Sequence, residues 1–313
     1  MKTEYWLDVE ELNKIEWINK YNHFCKKLSN SSPDDISSIY SYFSIDDHKE
    51  FIKEICDKIG LSLSGTGVEI GSGPGIFSNS ILKIFNHVEK IYLLEMVPEI
   101  FPLMEKVSKH NKTDAKLSGI LGDFNNMKFK DSSLDFVLDF DSIHHSENFD
   151  LTFKEINRVL KPGGILLCFD RGHPNYISKQ QISDMLDIEY SREYKIENNI
   201  NPNKKFTRRM NGEHEPFLKD WIRTSEKYGF INKVYIFNKK NLRNFFISTY
   251  GLFVPYWFKK LINKGINIST HYQMFLGYFG FKEFKSMSVY NLKYKAVNKK
   301  SPNGKMVFLF KKI

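Results

Sequence analysis

The sequence predicts an α/β fold: a doubly wound, mostly parallel sheet of seven strands, with a helical N-terminal segment before it and two insertions on the substrate side. Three observations carry this expectation. From Gly67 onward, short apolar runs alternate with helix-length amphipathic segments, the pattern of βαβ units whose sheet is covered on both faces. The stretch VEIGSGPGIFS, 68–78, ends one such run in glycines two apart and turns into a helix. Of the 313 residues, 41% are hydrophobic and 15% aromatic, enough for one substantial core with an elaborated cap.

Taken in order, residues 1–60 are expected to form a helical lid. Its helices are placed at 6–27 and 46–59, separated by the loop SNSSPDD. The main domain then covers 61–313. Strands are expected at 67–70, 90–95, 118–121, 135–140, 165–169, 233–237 and 306–311. Helical periodicity covers 77–85, 99–109, 151–160 and 217–228, with Asp150 as N-cap of the third and the turn Lys161-Pro162-Gly163-Gly164 as its stop. Two basic insertions, 171–216 and 239–302, exceed a minimal doubly wound sheet. In such folds ligands sit beyond the carboxyl ends of the strands, where insertions build the substrate side.

Composition excludes several classes. Cys25, Cys56 and Cys168 form no CxxC pair, which argues for reduced thiols and against a disulfide frame. The acidic, amphipathic N-terminus has no apolar run of signal-peptide length, and GLFVPYWF at 251–258 is too short to span a bilayer. A cytoplasmic protein without a transmembrane helix is therefore expected. The net charge of +9 is unevenly shared. Residues 1–150 hold 16 Lys+Arg against 25 Asp+Glu, a net of −9, and residues 151–313 hold 30 against 12, a net of +18. A basic second half suits an anionic partner, or is a solvated lysine-rich surface.

The glycine turn separates two kinds of ligand. Dinucleotide folds use G-x-G-x-x-G, whose third glycine lets the helix N-terminus face a pyrophosphate. Here Gly71, Gly73 and Gly75 are followed by Ile76, so the spacing is G-x-G-x-G. Glycines alone mark any tight turn, but these have company. Glu95 closes the run IYLLE, where a carboxylate can accept ribose hydroxyls, and LGDFNNMKF places Asp123 and Phe124 past the third strand. SLDFVLDFDSIHH then gives the fourth strand and a histidine-bearing loop, and RVLKPGGILLCFD gives a helix, turn and fifth strand.

In this order the motifs resemble those of the class I S-adenosylmethionine-dependent methyltransferases, a Rossmann-like fold, over about residues 60–172 plus the last two strands. The resemblance implies S-adenosylmethionine as cofactor and S-adenosylhomocysteine as product. It implies cofactor contacts from Glu69, Gly71, Ser72, Gly73, Gly75, Phe77, Glu95, Met96, Asp123, Phe124 and Phe140. Asp123 would accept from the adenine amino group and Phe124 would pack on the ring, while Glu69 suits a ligand bearing an ammonium and a sulfonium.

The acceptor half has fewer landmarks. A hydroxyl acceptor must lose a proton, so a base is expected near the methyl. His145 and Asp141 come first, then His144, because the loop after the fourth strand faces that carbon in this fold; histidine titrates near neutral pH. Arg171 and His173 in DRGHPN, with Arg208, Arg209, His214 and Glu215, are the candidate substrate contacts. Arg208 and Arg209 form either an anion clamp or salt bridges that order the insertion. Glu213, His214 and Glu215 could orient a hydroxyl or, as the lesser alternative, hold a divalent metal; E-H-E has no fixed helical ligand spacing, so no metal is expected. The aromatic and basic stretch 241–280 reads as a membrane-surface segment, a cleft wall, a dimer interface or a packed cap.

The resulting expectation is O-methylation of a polar small-molecule or glycan acceptor, phosphorylated or not. RNA methylation is the alternative suggested by the basic half. Against it, DFDS replaces an N-P-P-Y-like tetrapeptide, no Pro-Cys nucleophile is present, and no RNA-binding module is apparent. A non-catalytic S-adenosylmethionine-binding protein is a third reading, opposed by the intact motifs. The oligomeric state is not specified by the sequence.

Overall fold

A computed structural model describes residues 1–7, 45–173, 178–197, 200–238, 287–291 and 306–313. Nine strands form one sheet: β1 (Lys2–Tyr5), β2 (Gly65–Ile70), β3 (Val88–Glu95), β4 (Leu117–Leu121), β5 (Leu134–Phe140), β6 (Leu160–Asp170), β7 (Phe230–Asn238), β8 (Met287–Asn291) and β9 (Met306–Lys312). Their order is β1-β4-β3-β2-β5-β6-β9-β7-β8. Every pairing is parallel except those of β9, which runs antiparallel to both β6 and β7. The order reverses between β2 and β5, so the tips of β2, β3 and β5 open a crevice at their carboxyl ends.

All seven expected strands are present, and two more extend the edges. β1 corrects the reading of 1–60 as wholly helical: Lys2 to Tyr5 pair in parallel with Ser118 to Leu121. Only four residues long, with burial alternating weakly, it gives little periodic signal. β8 lies inside the expected insertion 239–302 and pairs with β7. The helix expected at 6–27 and the stretch 241–280 lie outside the described residues.

The helices are α1 (Ile45–Ile59), α2 (Ile76–Ile84), α3 (Phe101–Asn111), α4 (Phe149–Val159), α5 (Lys179–Leu186), α6 (Arg192–Glu197) and α7 (Leu218–Lys227). Asp150 is not the cap of α4. Asn148 accepts from the Leu151 N–H at 3.0 Å, and Asp150, within the first turn, pairs with Lys227. Both side chains can cap a helix, and the chain enters two residues earlier than the periodicity suggested.

Alternation along the strands divides the core into two layers. Val68, Ile70, Val137, Leu166 and Cys168 face α4 and α7, whose Phe153, Ile156, Leu218 and Trp221 cover them. Phe136, Leu138, Leu167 and Phe169 face the other way, against Phe51 and Ile55 of α1 and Phe77 and Ile81 of α2. A parallel strand buried on both faces reads as a continuous apolar run, which explains why the central strands were legible. Each fully buried Leu or Phe contributes roughly 1.5–3 kcal/mol. No helix among the described residues is long and apolar enough to cross a membrane.

Candidate cofactor and acceptor site

The glycine turn leaves β2 at Ile70 and enters α2 at Ile76. Gly71, Gly73 and Gly75 have φ of 57°, 50° and 75°, the left-handed region that glycine enters without a Cβ clash. The space around them differs. A Cβ on Gly71 would meet Ser142 Oγ at 2.5 Å, whereas nothing lies within 4 Å of one on Gly73. The turn is packed at its start and open at its middle, so another molecule can approach the backbone there. Beside that opening, the Ser72 Oγ is buried without a hydrogen-bond partner.

Glu95, at the tip of β3, fixes the turn from the side. Its Oε2 accepts the Gly73 N–H at 2.9 Å, and its Oε1 accepts Met96 N–H at 2.7 Å and Val97 N–H at 3.2 Å. Burial raises the Glu95 pKa while these amides oppose the rise. Past β4, Asp123 is partly buried and accepts the Asn125 N–H at 2.7 Å, with Phe124 packed against the core edge beside it. Met96 is half-buried next to Glu95.

Two expected cofactor contacts are corrected. Glu69 is 2% exposed and accepts both the N–H and the hydroxyl of Ser78, so it ties β2 to the first turn of α2 instead of facing the opening. Burial pushes its carboxyl up to about 8. Phe77 is also 2% exposed and packs its ring against Phe140 and Phe169, with centroids 5.2 and 5.1 Å away. It belongs to the core. Phe140, half-buried, forms the aromatic floor, and His48 of α1 comes to 5.3 Å of it.

The acceptor side begins where β5 ends. Asp139 is wholly buried; its Oδ1 accepts the N–H groups of Ser142 at 3.1 Å and Ile143 at 3.0 Å, and Cys168 donates to Oδ2 at 2.7 Å. These bonds fold a 3-10 turn, Ile143–His145. Asp141 takes φ 64°, uncommon for a residue with a Cβ, and such strain persists where surroundings impose it. Ser142 Oγ donates to the Gly71 carbonyl at 2.9 Å and so joins the acceptor loop to the cofactor turn.

The two histidines differ. His144 is 1% exposed, and its Nδ1 meets Asp170 Oδ1 at 2.7 Å. Its backbone N–H donates to Asp170 Oδ2 at 3.0 Å, while Nε2 is buried with no hydrogen-bond partner. His145 Nδ1 lies 2.9 Å from the Gly212 carbonyl, which only accepts, so Nδ1 carries the proton. Burial and the adjacent His144 lower the His145 pKa to about 4, which keeps that ring neutral.

The insertion 171–216 closes this side with ion pairs. Arg171 donates from Nε to Asp141 Oδ1 at 3.2 Å and from a terminal nitrogen to Glu213 Oε2 at 2.8 Å. Arg208 reaches the same Glu213 oxygen at 2.6 Å and also bonds Glu215, whose other oxygen meets His173. Tyr190 donates to Glu213. Burial would raise the Glu213 pKa, but Tyr190, Arg208 and Arg171 outweigh it and hold the carboxyl at about 2. Arg208 is therefore committed to internal carboxylates, and Arg209 pairs on the exposed outside with Asp187 and Ser183. Of the two readings of Arg208 and Arg209, an anion clamp or salt bridges that order the insertion, the geometry favours the salt bridges. His214 is exposed, and its contribution to the loop is a backbone N–H given to the His144 carbonyl at 2.9 Å.

Donor atoms of Asp141, His144 and Asp170 lie within 4.8 Å of one another. That proximity is accounted for by the His144–Asp170 hydrogen bond and by Arg171 on Asp141. Asp139, Ser142, Asp170 and Tyr190 were not singled out from the sequence. Asp170 had a signal, since it is an acid closing an apolar strand just as Glu95 does.

Residues 68–168 match a family model described as a methyltransferase domain. A demethylmenaquinone methyltransferase of Staphylococcus saprophyticus is 23% identical over 133 residues, covering 42% of this chain and 55% of that protein. The sterol 24-C-methyltransferase erg6 of Aspergillus fumigatus is 27% identical over 164 residues, covering 51% of this chain and 39% of that one. The chain spans about half the length of the curated relatives it matches. Among solved structures, Haemonchus contortus phosphoethanolamine N-methyltransferase 2 in complex with S-adenosyl-L-methionine is 15% identical. It overlaps 88% of this chain and 56% of its own with a TM-score of 0.47.

The methyltransferase-domain match over residues 68–168, with the strand and motif order around it, supports a class I S-adenosylmethionine-dependent methyltransferase. The residues present fit that cofactor: an open backbone turn at Gly73, an unpartnered Ser72 hydroxyl and a carboxylate at the neighbouring strand tip.

Proposed function

We propose that this chain methylates a hydroxyl of a polar small-molecule or glycan acceptor, with S-adenosylmethionine as methyl donor. When bound, the cofactor supplies an electrophilic methyl carbon on a sulfonium. Gly73 and Ser72 would hold its methionine end, Glu95 its ribose hydroxyls, and Asp123 with Phe124 its adenine. Holding the acceptor in line with that carbon and excluding water are the chain's main contributions.

The observation that carries the acceptor class is the polar wall beyond β5 and β6. Asp141, Arg171 and His173 keep 30%, 34% and 17% of their side chains exposed beside the histidine loop. Covering such a wall with an apolar acceptor would strip water from partly exposed charged groups, whereas a polar acceptor can hydrogen-bond them. Because Arg208 is engaged internally, a phosphate on the acceptor is less supported than the sequence suggested. A second reading comes from the names of the relatives: carbon methylation of a quinone or sterol precursor.

The test is incubation with methyl-labelled S-adenosylmethionine and a panel of sugars, nucleotide sugars, phenols, phosphorylated metabolites, amines, thiols, quinol and sterol precursors, and RNA. Label on a hydroxyl compound is expected. Label confined to a quinol or sterol carbon would transfer the assignment to the second reading, and label on RNA alone would refute both.

A further inference from the structure

The geometry points to His144 as the base that takes the acceptor's proton, with Asp170 as the residue that positions it; this deepens the proposed reaction and rests on it. Sequence reasoning favoured His145 and Asp141, and the hydrogen bonds reverse that order. Asp170 is a buried carboxylate held from three directions. It accepts the His144 backbone N–H, the Arg171 backbone N–H at 2.6 Å, and the His144 ring at Nδ1. A carboxylate opposite Nδ1 fixes the tautomer with the proton on Nδ1, which leaves the lone pair on Nε2. That Nε2 is buried and unpartnered. Buried acceptors ordinarily have a partner, so an orphan of this kind marks the place of a missing one.

Location and chemistry suit an acceptor hydroxyl. His144 stands two residues after Ser142, whose hydroxyl is bonded to the first glycine of the cofactor turn. The charged and titratable groups around the ring include Asp141 at 3.7 Å, Asp170, His145 with ring centroids 4.1 Å apart, and His214 from the insertion; Arg171 bonds Asp141. As the acceptor oxygen forms the new O–C bond, the C–S bond breaks with its electron pair remaining on sulfur as the thioether. The hydroxyl proton passes to Nε2. The resulting imidazolium keeps its Nδ1–H on Asp170. His145 has only the Gly212 carbonyl behind it, and neither Asp141 nor Arg171 offers an imidazole-like base. Residues 212–214 are bonded to both histidines, through the Gly212 carbonyl and the His214 N–H.

The full chain answers this in three steps. Calorimetry with S-adenosylhomocysteine comes first, and absence of binding to the wild type would refute the methyltransferase reading itself, apart from the base. Next, 15N-histidine NMR at neutral pH should show His144, assigned by its loss in H144N, protonated at Nδ1 and bare at Nε2. In D170N that tautomer preference should weaken. A wild-type His144 protonated at Nε2 overturns the assignment whether or not an acceptor is known. Finally, with a hydroxyl compound methylated in the labelling panel, H144N and D170N should each lower kcat/KM by on the order of 10²-fold or more. Affinity for S-adenosylhomocysteine should stay within twofold, and the acid limb of the pH profile should vanish in H144N. Variants that retain the wild-type rate and profile overturn the proposal, as does methylation restricted to amine, thiol or carbon acceptors. If H144N does not fold, D170N and the wild-type tautomer decide.

Discussion

Replacing Glu95 by Gln keeps the side chain's size, removes its charge and turns one acceptor oxygen into an NH2 group. Glu95 serves two opposed sets of backbone donors, Gly73 at 2.9 Å on one oxygen and Met96 and Val97 at 2.7 and 3.2 Å on the other. An amide can satisfy only one set, because its NH2 meets an N–H on the other side. If the carbonyl stays with the tighter Met96 and Val97 pair, the Gly73 N–H loses its acceptor and the open part of the turn loses its anchor. A donor left without a partner costs about 1–3 kcal/mol, and about 1.4 kcal/mol is tenfold in affinity. S-adenosylhomocysteine should therefore bind E95Q roughly 10- to 100-fold more weakly, before any lost contact to the ribose is added. Calorimetry measures this directly, with thermal denaturation confirming that the core survives. Burial raises the Glu95 pKa, so protonation on the acid side should make the wild type approach the variant. An affinity within twofold of wild type would refute the role of Glu95 as anchor of the turn.

Three further outcomes follow from the same geometry. G73A puts a methyl into open space at φ 50°, so stability should fall by only about 1–2 kcal/mol while S-adenosylhomocysteine affinity drops at least roughly tenfold; unchanged affinity would mean that nothing approaches over this face. Glu69, with a folded pKa of about 8 against an ordinary 4.5, binds its proton more tightly when folded. Its contribution is full below about pH 4.5 and is lost as pH rises through about 8. The melting temperature of E69Q relative to wild type should thus climb across that window, and a constant difference would contradict a buried, proton-holding Glu69. R208A removes one of the two arginines that serve the buried Glu213 and Glu215, leaving Arg171, Tyr190 and His173 as partners, and should cost on the order of 1–3 kcal/mol in urea unfolding. R209A breaks only a half-exposed pair with Asp187 and should cost about 0–1 kcal/mol, so equal losses would contradict the ion-pair assignment.

The cofactor half was legible because it is local. Glycine spacing, an acid closing an apolar run and a helix after it are all read within a few residues, and the fold brings Glu95 onto the Gly73 N–H. Strands buried on both faces announced themselves as apolar runs, while β1, four residues at the sheet edge, did not. The acceptor half depends on pairs distant in sequence. His144 meets Asp170 across 26 positions, and Arg171 meets Glu213 across 42. No periodicity encodes such meetings. For Arg208 the sequence left an anion clamp and salt bridges to its neighbours both open, and only the fold shows Glu213 and Glu215 folded back onto it. Glu69 misled in the other direction: its nearness to the glycines was real, but Ser78 captured it.

The antiparallel strand β9 sits between β6 and β7, although it is the last of the described strands to leave the ribosome. Until then β6 and β7 each present a bare edge, and Trp221 and Phe153 lack Phe308 and Phe310, the rings that will pack on them. Translation can thus finish the nucleoside-holding end well before the sheet is sealed. Nascent chains halted ahead of Met306 should be substrates for chaperones and prone to joining edge to edge.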